Sequence, residues 1–227
     1  METFLSRTEK LVGEEAVLRL NKAHVLVAGV GGVGSFVAEA LARGGIGELT
    51  IIDDDIVDVT NINRQLQAFP DTVGRPKVEV MQERLLRINP ALQCHAERIH
   101  LTEDWTLAGE LAYIADCVDD VQAKKQLIVT AQRAQVPVIS SMGSGNQIDN
   151  RHFTITDLSK THTCPLARAL RKALREESIC KGVKVCYNPI SPYVKMAGSP
   201  GTMSYVPGTA GLLIAGEIIR EIIGISV

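Results

Sequence analysis

The chain has 227 residues, which at roughly 150 residues per domain predicts one large domain, or one with a modest appendage. Hydrophobic residues make up 45% of it and charged residues 22%, values that exclude a disordered, collagenous or coiled-coil chain. Lys plus Arg number 24 against 26 for Asp plus Glu, a net charge of −2, so no global positive field gathers nucleic acid and RNA binding would have to rest on a local patch.

The first fifteen positions carry charges and lack an apolar run with a small-residue cleavage site, so no signal peptide is expected. His24 to Ala28 is a short valine-rich strand running into GVGGVGS, and Ser35 to Arg43 has helical apolar spacing closed by Gly44-Gly45. Glu48 to Asp53 reads as a second buried strand ending in acid. Pro76 to Ile88 reads as a helix opened by Pro and stopped before Asn89-Pro90. Strands follow at Leu92 to Leu101, Tyr113 to Val118 and Val136 to Ser140, with a helix from Ala123 to Gln135. This alternation predicts an α/β, Rossmann-like, mostly parallel sheet with helices on both faces. Beyond Gly143 the rhythm changes to a mixed extension: strands at His152 to Thr156 and Val183 to Tyr187, and a basic helix from Pro165 to Glu177. Residues 188 to 208 hold four prolines and several glycines and read as a loop. The apolar C-terminal stretch is broken by Glu217, Arg220 and Glu221, short of the ~20 residues a membrane span requires. A core or interface helix is expected there, with peripheral membrane contact left open.

Five cysteines, Cys94, Cys117, Cys164, Cys180 and Cys186, form no CxxC pair and are odd in number. They fit neither a disulfide framework nor a structural zinc site, and point to reducing cytoplasm.

Gly29, Gly31 and Gly34 form GxGxxG between a strand and a helix, where glycine lets backbone N–H groups approach phosphate at a helix N-terminus. Asp53 closes the next strand near the offset at which an acid takes a ribose hydroxyl. A nicotinamide enzyme is the usual inference. Downstream, however, stand Asp55, then Asn61, Arg64 and Gln65 in NINRQ, and Lys77. Cations there suit a triphosphate, because they neutralise its charge during phosphoryl or adenylyl transfer. The extra Gly32 also departs from the nicotinamide pattern. Asp119, in DCVDD, lies on the carboxyl edge of the sheet where ligands bind, and one carboxylate plus phosphate oxygens is the usual way to hold Mg²⁺.

Together GVGGVGS, IIDDDIVDVTNINRQ, GRPK and DCVDD resemble the ThiF/MoeB adenylating superfamily, relatives of ubiquitin-activating enzymes, over about Arg7 to Gly143. The resemblance implies that the glycines and Asp53 hold ATP, that Asn61, Arg64 and Lys77 contact its phosphates, and that Asp119 holds Mg²⁺. It also implies a homodimer in which Arg7 reaches the partner's site. It divides the single domain into an ATP-binding half, 1–143, and a substrate-binding, dimer-related half, 144–227.

Sulfur-carrier activators of this superfamily mostly carry two zinc-binding CxxC pairs, absent here. LARGGIGELTIIDDDIVDVTNINRQ, SSMGSGNQID and TDLSKTHTCPLARALRKALR instead resemble the tRNA threonylcarbamoyladenosine dehydratase (TcdA) branch. That branch spends ATP to activate the carboxylate of threonylcarbamoyladenosine beside the tRNA anticodon and closes it to a cyclic hydantoin. The expected substrate is the anticodon arm of tRNA; a sulfur-relay protein is a candidate partner, and adenylation of a sulfur carrier is the alternative. Cys164, before the basic helix, is the best-placed thiol, although an incidental cysteine is the plainer reading. Lys160, Arg168, Arg171, Lys172 and Arg175, followed by Lys181 and Lys184, supply a phosphate-binding patch against Glu176 and Glu177. The i, i+3, i+7 spacing puts Arg168, Arg171 and Arg175 on one helix face.

Overall fold

The computed structural model describes residues 2–102, 104–194 and 200–225. In chain order it contains α1 (Ser6–Val12), α2 (Glu14–Lys22), β1 (His24–Ala28), α3 (Gly34–Gly44), β2 (Glu48–Ile52), α4 (Lys77–Ile88), β3 (Gln93–Glu97) and β4 (Tyr113–Asp116). Then come α5 (Val121–Arg133), β5 (Val138–Ser141), β6 (Thr154–Asp157), α6 (Pro165–Glu176), β7 (Lys184–Tyr187) and α7 (Tyr205–Ile223). One sheet runs in the order β3-β2-β1-β4-β5-β7-β6. All neighbours are parallel except β6, which runs antiparallel to β7, so the mixed extension predicted beyond Gly143 is the far edge of the same sheet.

Strand periodicity sorts the core. Val25, Val27, Leu49 and Ile51 face α2, α3, α4 and α7, while Leu26, Ala28, Ile52 and Ile114 face α5. Both sets are buried, because a parallel sheet covered on two faces has no solvent side. Each fully buried Leu or Ile contributes about 1.5–3 kcal/mol. A third cluster joins α5 and α6 through Ile128, Val129, Leu170 and Leu174.

Four expectations are adjusted. The third strand ends at Glu97 because its partner β2 ends at Ile52, and residues 99–101 turn to form a lip of the central cavity. The fourth strand ends at Asp116, so Asp119 lies in the loop beyond it. Within 188–208, helix α7 already starts at Tyr205, with Pro207 in its first turn, where a missing N–H is harmless; residues 195–199 of that stretch lie outside the described residues. The N-terminal helices were not anticipated, although α2 buries Ala16 and Leu20 at helical spacing. Helix α7 is the expected core helix, burying Val206, Ala210, Ile214 and Ile218. Among the described residues no helix is long and apolar enough to cross a membrane.

Candidate active site

The carboxyl ends of β1, β2, β4 and β5 open into a cavity of about 540 Å³. Its floor is the turn after β1. Gly29 has φ +81°, and a Cβ there would lie 2.9 Å from the carbonyl carbon and oxygen of Cys117; a Cβ on Gly34 would sit 1.7 Å from the Gly29 oxygen. Only glycine allows strand, turn and helix to close this tightly. Val30 N–H donates to Asp53 Oδ2 at 2.8 Å, whereas the N–H groups of Gly31, Gly32 and Val33 meet no acceptor among the described residues. Free N–H groups at the start of α3 form an anion cradle.

Asp53 also accepts from Asp55 N–H at 3.0 Å. Burial raises its carboxyl above the usual Asp range, against the lowering effect of Lys77 and of the two backbone donors. Lys77 is itself buried, and its Nζ lies 2.6 Å from Asp55 Oδ2 and 4.0 Å from Asp53 Oδ1. Asn61 is buried and accepts from Asp58 N–H through Oδ1 at 3.1 Å, closing a capping box around a 3₁₀ turn. That turn projects Arg64 toward the cavity, where its guanidinium donates to the Thr60 carbonyl at 2.6 Å and to Asn63 Oδ1 at 2.9 Å. Gln65 is buried beside Gly31. The predicted residues Gly29, Gly31, Gly32, Asp53, Asn61, Arg64, Gln65, Lys77 and Asp119 all line this one cavity.

The two acids of DCVDD divide their work. Asp120 caps α5, accepting from Ala123 N–H at 2.8 Å, while Asp119 faces the cavity with no hydrogen bond or ion pair to a described residue. Asp53, Asp54 and Asp55 form a separate group on the same cavity, with one carboxylate oxygen from each within 4.8 Å of the others. The free Asp119 carboxylate, a hard oxygen donor facing the cavity, fits a divalent cation held chiefly through phosphate. Cys117 lines the cavity too, but burial and then the Asp116 carboxylate push its thiol far up, and Cys164 is buried.

The opposite wall comes from Gly143 to Gly145, Leu166, Pro200, Thr202 and Pro207. Beyond Leu166, Arg168, Lys172 and Arg175 are exposed along α6, with Lys160 exposed just before it. Arg171 departs from the predicted face: its Nη1 donates to the carbonyls of Leu158 (3.2 Å) and Thr161 (3.0 Å) and to the Thr161 hydroxyl. Lys184 is likewise taken by Glu217 and Glu221, and Glu177 by Lys125. Arg7 is exposed on α1 and does not line its own chain's cavity.

Sequence reasoning missed two buried polar groups behind the cavity. Gln67 donates through Nε2 to the Val30 carbonyl at 2.7 Å and so holds the glycine turn. Lys124, whose neighbours Ala123, Leu127 and Ile128 mark a core-facing stripe, is fully buried on Asp116 and Ser140. A lysine inside an apolar helical stripe was the signal available for it.

The ThiF family matches residues 5–227. The tRNA threonylcarbamoyladenosine dehydratase of Bacillus subtilis is 40% identical over an alignment of 238 positions that covers 96% of this chain and 94% of that protein. The molybdopterin-synthase adenylyltransferase of Salmonella typhimurium is 39% identical over 67% of this chain and 61% of its own. The crystal structure of Escherichia coli tRNA N6-threonylcarbamoyladenosine dehydratase in complex with ATP superimposes with a TM-score of 0.92 at 36% identity, covering 97% of this chain and 93% of that one. A nearly full-length match, with the family's glycine turn and acids gathered in one cavity, leaves one conclusion: the chain belongs to the ThiF family.

Proposed function

We propose that the protein uses ATP to dehydrate threonylcarbamoyladenosine in tRNA, next to the anticodon, by adenylating the threonine carboxylate. The observation that carries this reading is the extent of the likeness: similarity to the Bacillus subtilis dehydratase runs through 96% of the chain, including the wall outside the nucleotide half. Similarity to the Salmonella adenylyltransferase covers 67%, and the zinc-type CxxC pairs are absent.

In this reading the free N–H groups after β1 take phosphate oxygens, and Asp53 accepts from the ribose hydroxyls with the lone pairs its two backbone donors leave. Lys77 exchanges Asp55 for a phosphate, and Arg64 releases the Thr60 carbonyl to do the same; both then stabilise charge that grows as pyrophosphate departs. Asp119 would hold Mg²⁺, which when bound supplies positive charge against the triphosphate. The substrate carboxylate oxygen bonds to the α-phosphorus as the bond to pyrophosphate breaks. The carbamoyl nitrogen then attacks the activated carbonyl carbon, the C–O bond to AMP breaks, and the nitrogen loses its proton to water. Intramolecular attack reaches effective molarities on the order of 10⁵ M, so ring closure requires no protein thiol and no sulfur-relay partner. The raised Cys117 thiol accords with that.

Helix α1 buries none of its residues, and Phe4, Leu11 and Leu18 are exposed around it. This supports a homodimer in which Arg7 completes the partner's site. For the anticodon arm, the exposed side chains Arg168, Lys172 and Arg175 form the patch, with Arg171 serving the fold. A tRNA substrate supports a cytoplasmic location. The deciding experiment is ATP–pyrophosphate exchange: tRNA carrying threonylcarbamoyladenosine should stimulate it, and exchange stimulated only by the C-terminal tail of a sulfur carrier would overturn the proposal.

A further inference from the structure

We infer that Asp116, Lys124 and Ser140 form a buried positioning unit that sets the Cys117–Asp119 turn against the glycine turn and thereby aims the Asp119 carboxylate at the triphosphate. The inference rests on the reading of Asp119 as the metal-holding acid. The three residues end β4, sit in α5 and stand near the end of β5, and each is 0% exposed. Lys124 Nζ donates to Asp116 Oδ1 and Oδ2, both at 3.1 Å, and to Ser140 Oγ at 3.1 Å, which uses all three ammonium protons. Ser140 Oγ donates to Asp116 Oδ2 at 2.5 Å, and Val118 N–H donates to Asp116 Oδ1 at 3.3 Å.

Lys124 holds the turn at both ends. Its side chain fixes Asp116, and its backbone N–H donates to the Asp120 carbonyl at 3.1 Å, so the three residues between are spanned by one lysine. The turn is in direct contact with the phosphate cradle: the Cys117 carbonyl lies where a Gly29 Cβ would meet it at 2.9 Å, and Cys117 Cβ would be 3.1 Å from one on Gly34. Asp116 pairs in register with Ala28 of β1 and with Ser140 of β5, so the unit joins the strands that lead into the glycine turn, the Asp119 loop and the Ser141–Gly145 wall. A buried ion pair is a poor source of stability, since apolar residues of similar volume usually do as well or better. Its geometric effect, a fixed angle between three loops of one site, is what apolar packing would not reproduce. Groups that orient a metal's ligand without touching the metal act in this way.

The test compares wild type, Asp119→Ala, the apolar triple variant Asp116→Leu/Lys124→Met/Ser140→Ala, and the milder Ser140→Ala. Thermal unfolding checks folding, and calorimetry measures the affinity for a non-hydrolysable ATP analogue in EDTA and in Mg²⁺. Asp119→Ala should lose the gain in affinity that Mg²⁺ confers. The folded triple variant should keep its EDTA affinity but lose about 10- to 100-fold of the Mg²⁺-dependent affinity, with turnover falling in step. Ser140→Ala should lose about 2- to 10-fold, and it decides the matter if the triple variant does not fold. A full Mg²⁺ gain in these variants, alongside its loss in Asp119→Ala, would reduce the unit to a fold element and overturn the inference. An equal loss with and without Mg²⁺ would do the same. A full Mg²⁺ gain in Asp119→Ala would instead remove the metal assignment and the inference with it.

Discussion

The wall of the cavity made by β1, β2 and β4 is tied down atom by atom, with Asp53 accepting two backbone N–H groups and Lys77 seated between two acids. The facing wall is built from the loops at Gly143–Gly145 and at Pro200 and Thr202 together with the first turns of α6 and α7, and two nearby residues, Asn146 (φ +58°) and Thr163 (φ +61°), adopt left-handed backbone conformations without being glycine. For β-branched Thr163 such a conformation costs about 1–3 kcal/mol and persists only where the surroundings enforce it; here its hydroxyl bonds the Pro189 carbonyl at 2.8 Å. In the proposed reading the contrast is a division of labour: the tightly bonded wall meets ATP, and the wall of loops and helix starts meets the RNA substrate.

The largest expected effect comes from removing Lys77 on the fixed wall. Lys77→Met should lower single-turnover adenylation by about 10²–10³, while Leu166→Ala on the facing wall should raise KM for tRNA and leave ATP affinity unchanged. Finding the ATP effect in Leu166→Ala would break the comparison. Next is the contribution across the proposed dimer. Arg7→Ala and Asp53→Ala, each impaired alone, should regain part of their activity when mixed, because one site of the mixed dimer is intact; no recovery despite subunit exchange would place Arg7 in its own chain's service.

The difference between the walls also explains what the sequence made legible. The glycine turn, Asp53, Lys77 and Asp119 were readable because each follows a periodic strand or opens a helix, so spacing along the chain fixes position in space. Arg171 was misread as part of an RNA-facing row, since helical spacing cannot tell an exposed arginine from one that turns back onto the Leu158 and Thr161 carbonyls. Lys124 was passed over because its partners Asp116 and Ser140 come together only once β4 and β5 pair. Helix α1 buries nothing and therefore leaves no apolar stripe to find.

Smaller effects sharpen the account of each wall. Replacing Arg168, Lys172 and Arg175 with Ala should flatten the salt dependence of tRNA binding by about two to three units of slope, at roughly 0.7–0.9 per lost phosphate contact. Adding Arg171→Ala should lower thermal stability and leave the slope as it was. A filter-binding titration reads the slopes. On the fixed wall, protonated Asp53 has lost acceptor capacity for a ribose hydroxyl, so ATP affinity should fall as pH drops through its raised pKa. Lys77 lowers that pKa, so Lys77→Met should move the acid limb to higher pH; a shift to lower pH in calorimetric titrations would contradict the electrostatics given for the pair.

The central claim, ATP-driven loss of water from a tRNA nucleoside, is tested most directly by mass spectrometry of nucleosides after incubating modified tRNA with the protein, ATP and Mg²⁺. The account predicts that threonylcarbamoyladenosine is replaced by a species lighter by one water, with AMP formed in equal amount. Unchanged threonylcarbamoyladenosine from a protein that binds both ATP and tRNA would contradict it.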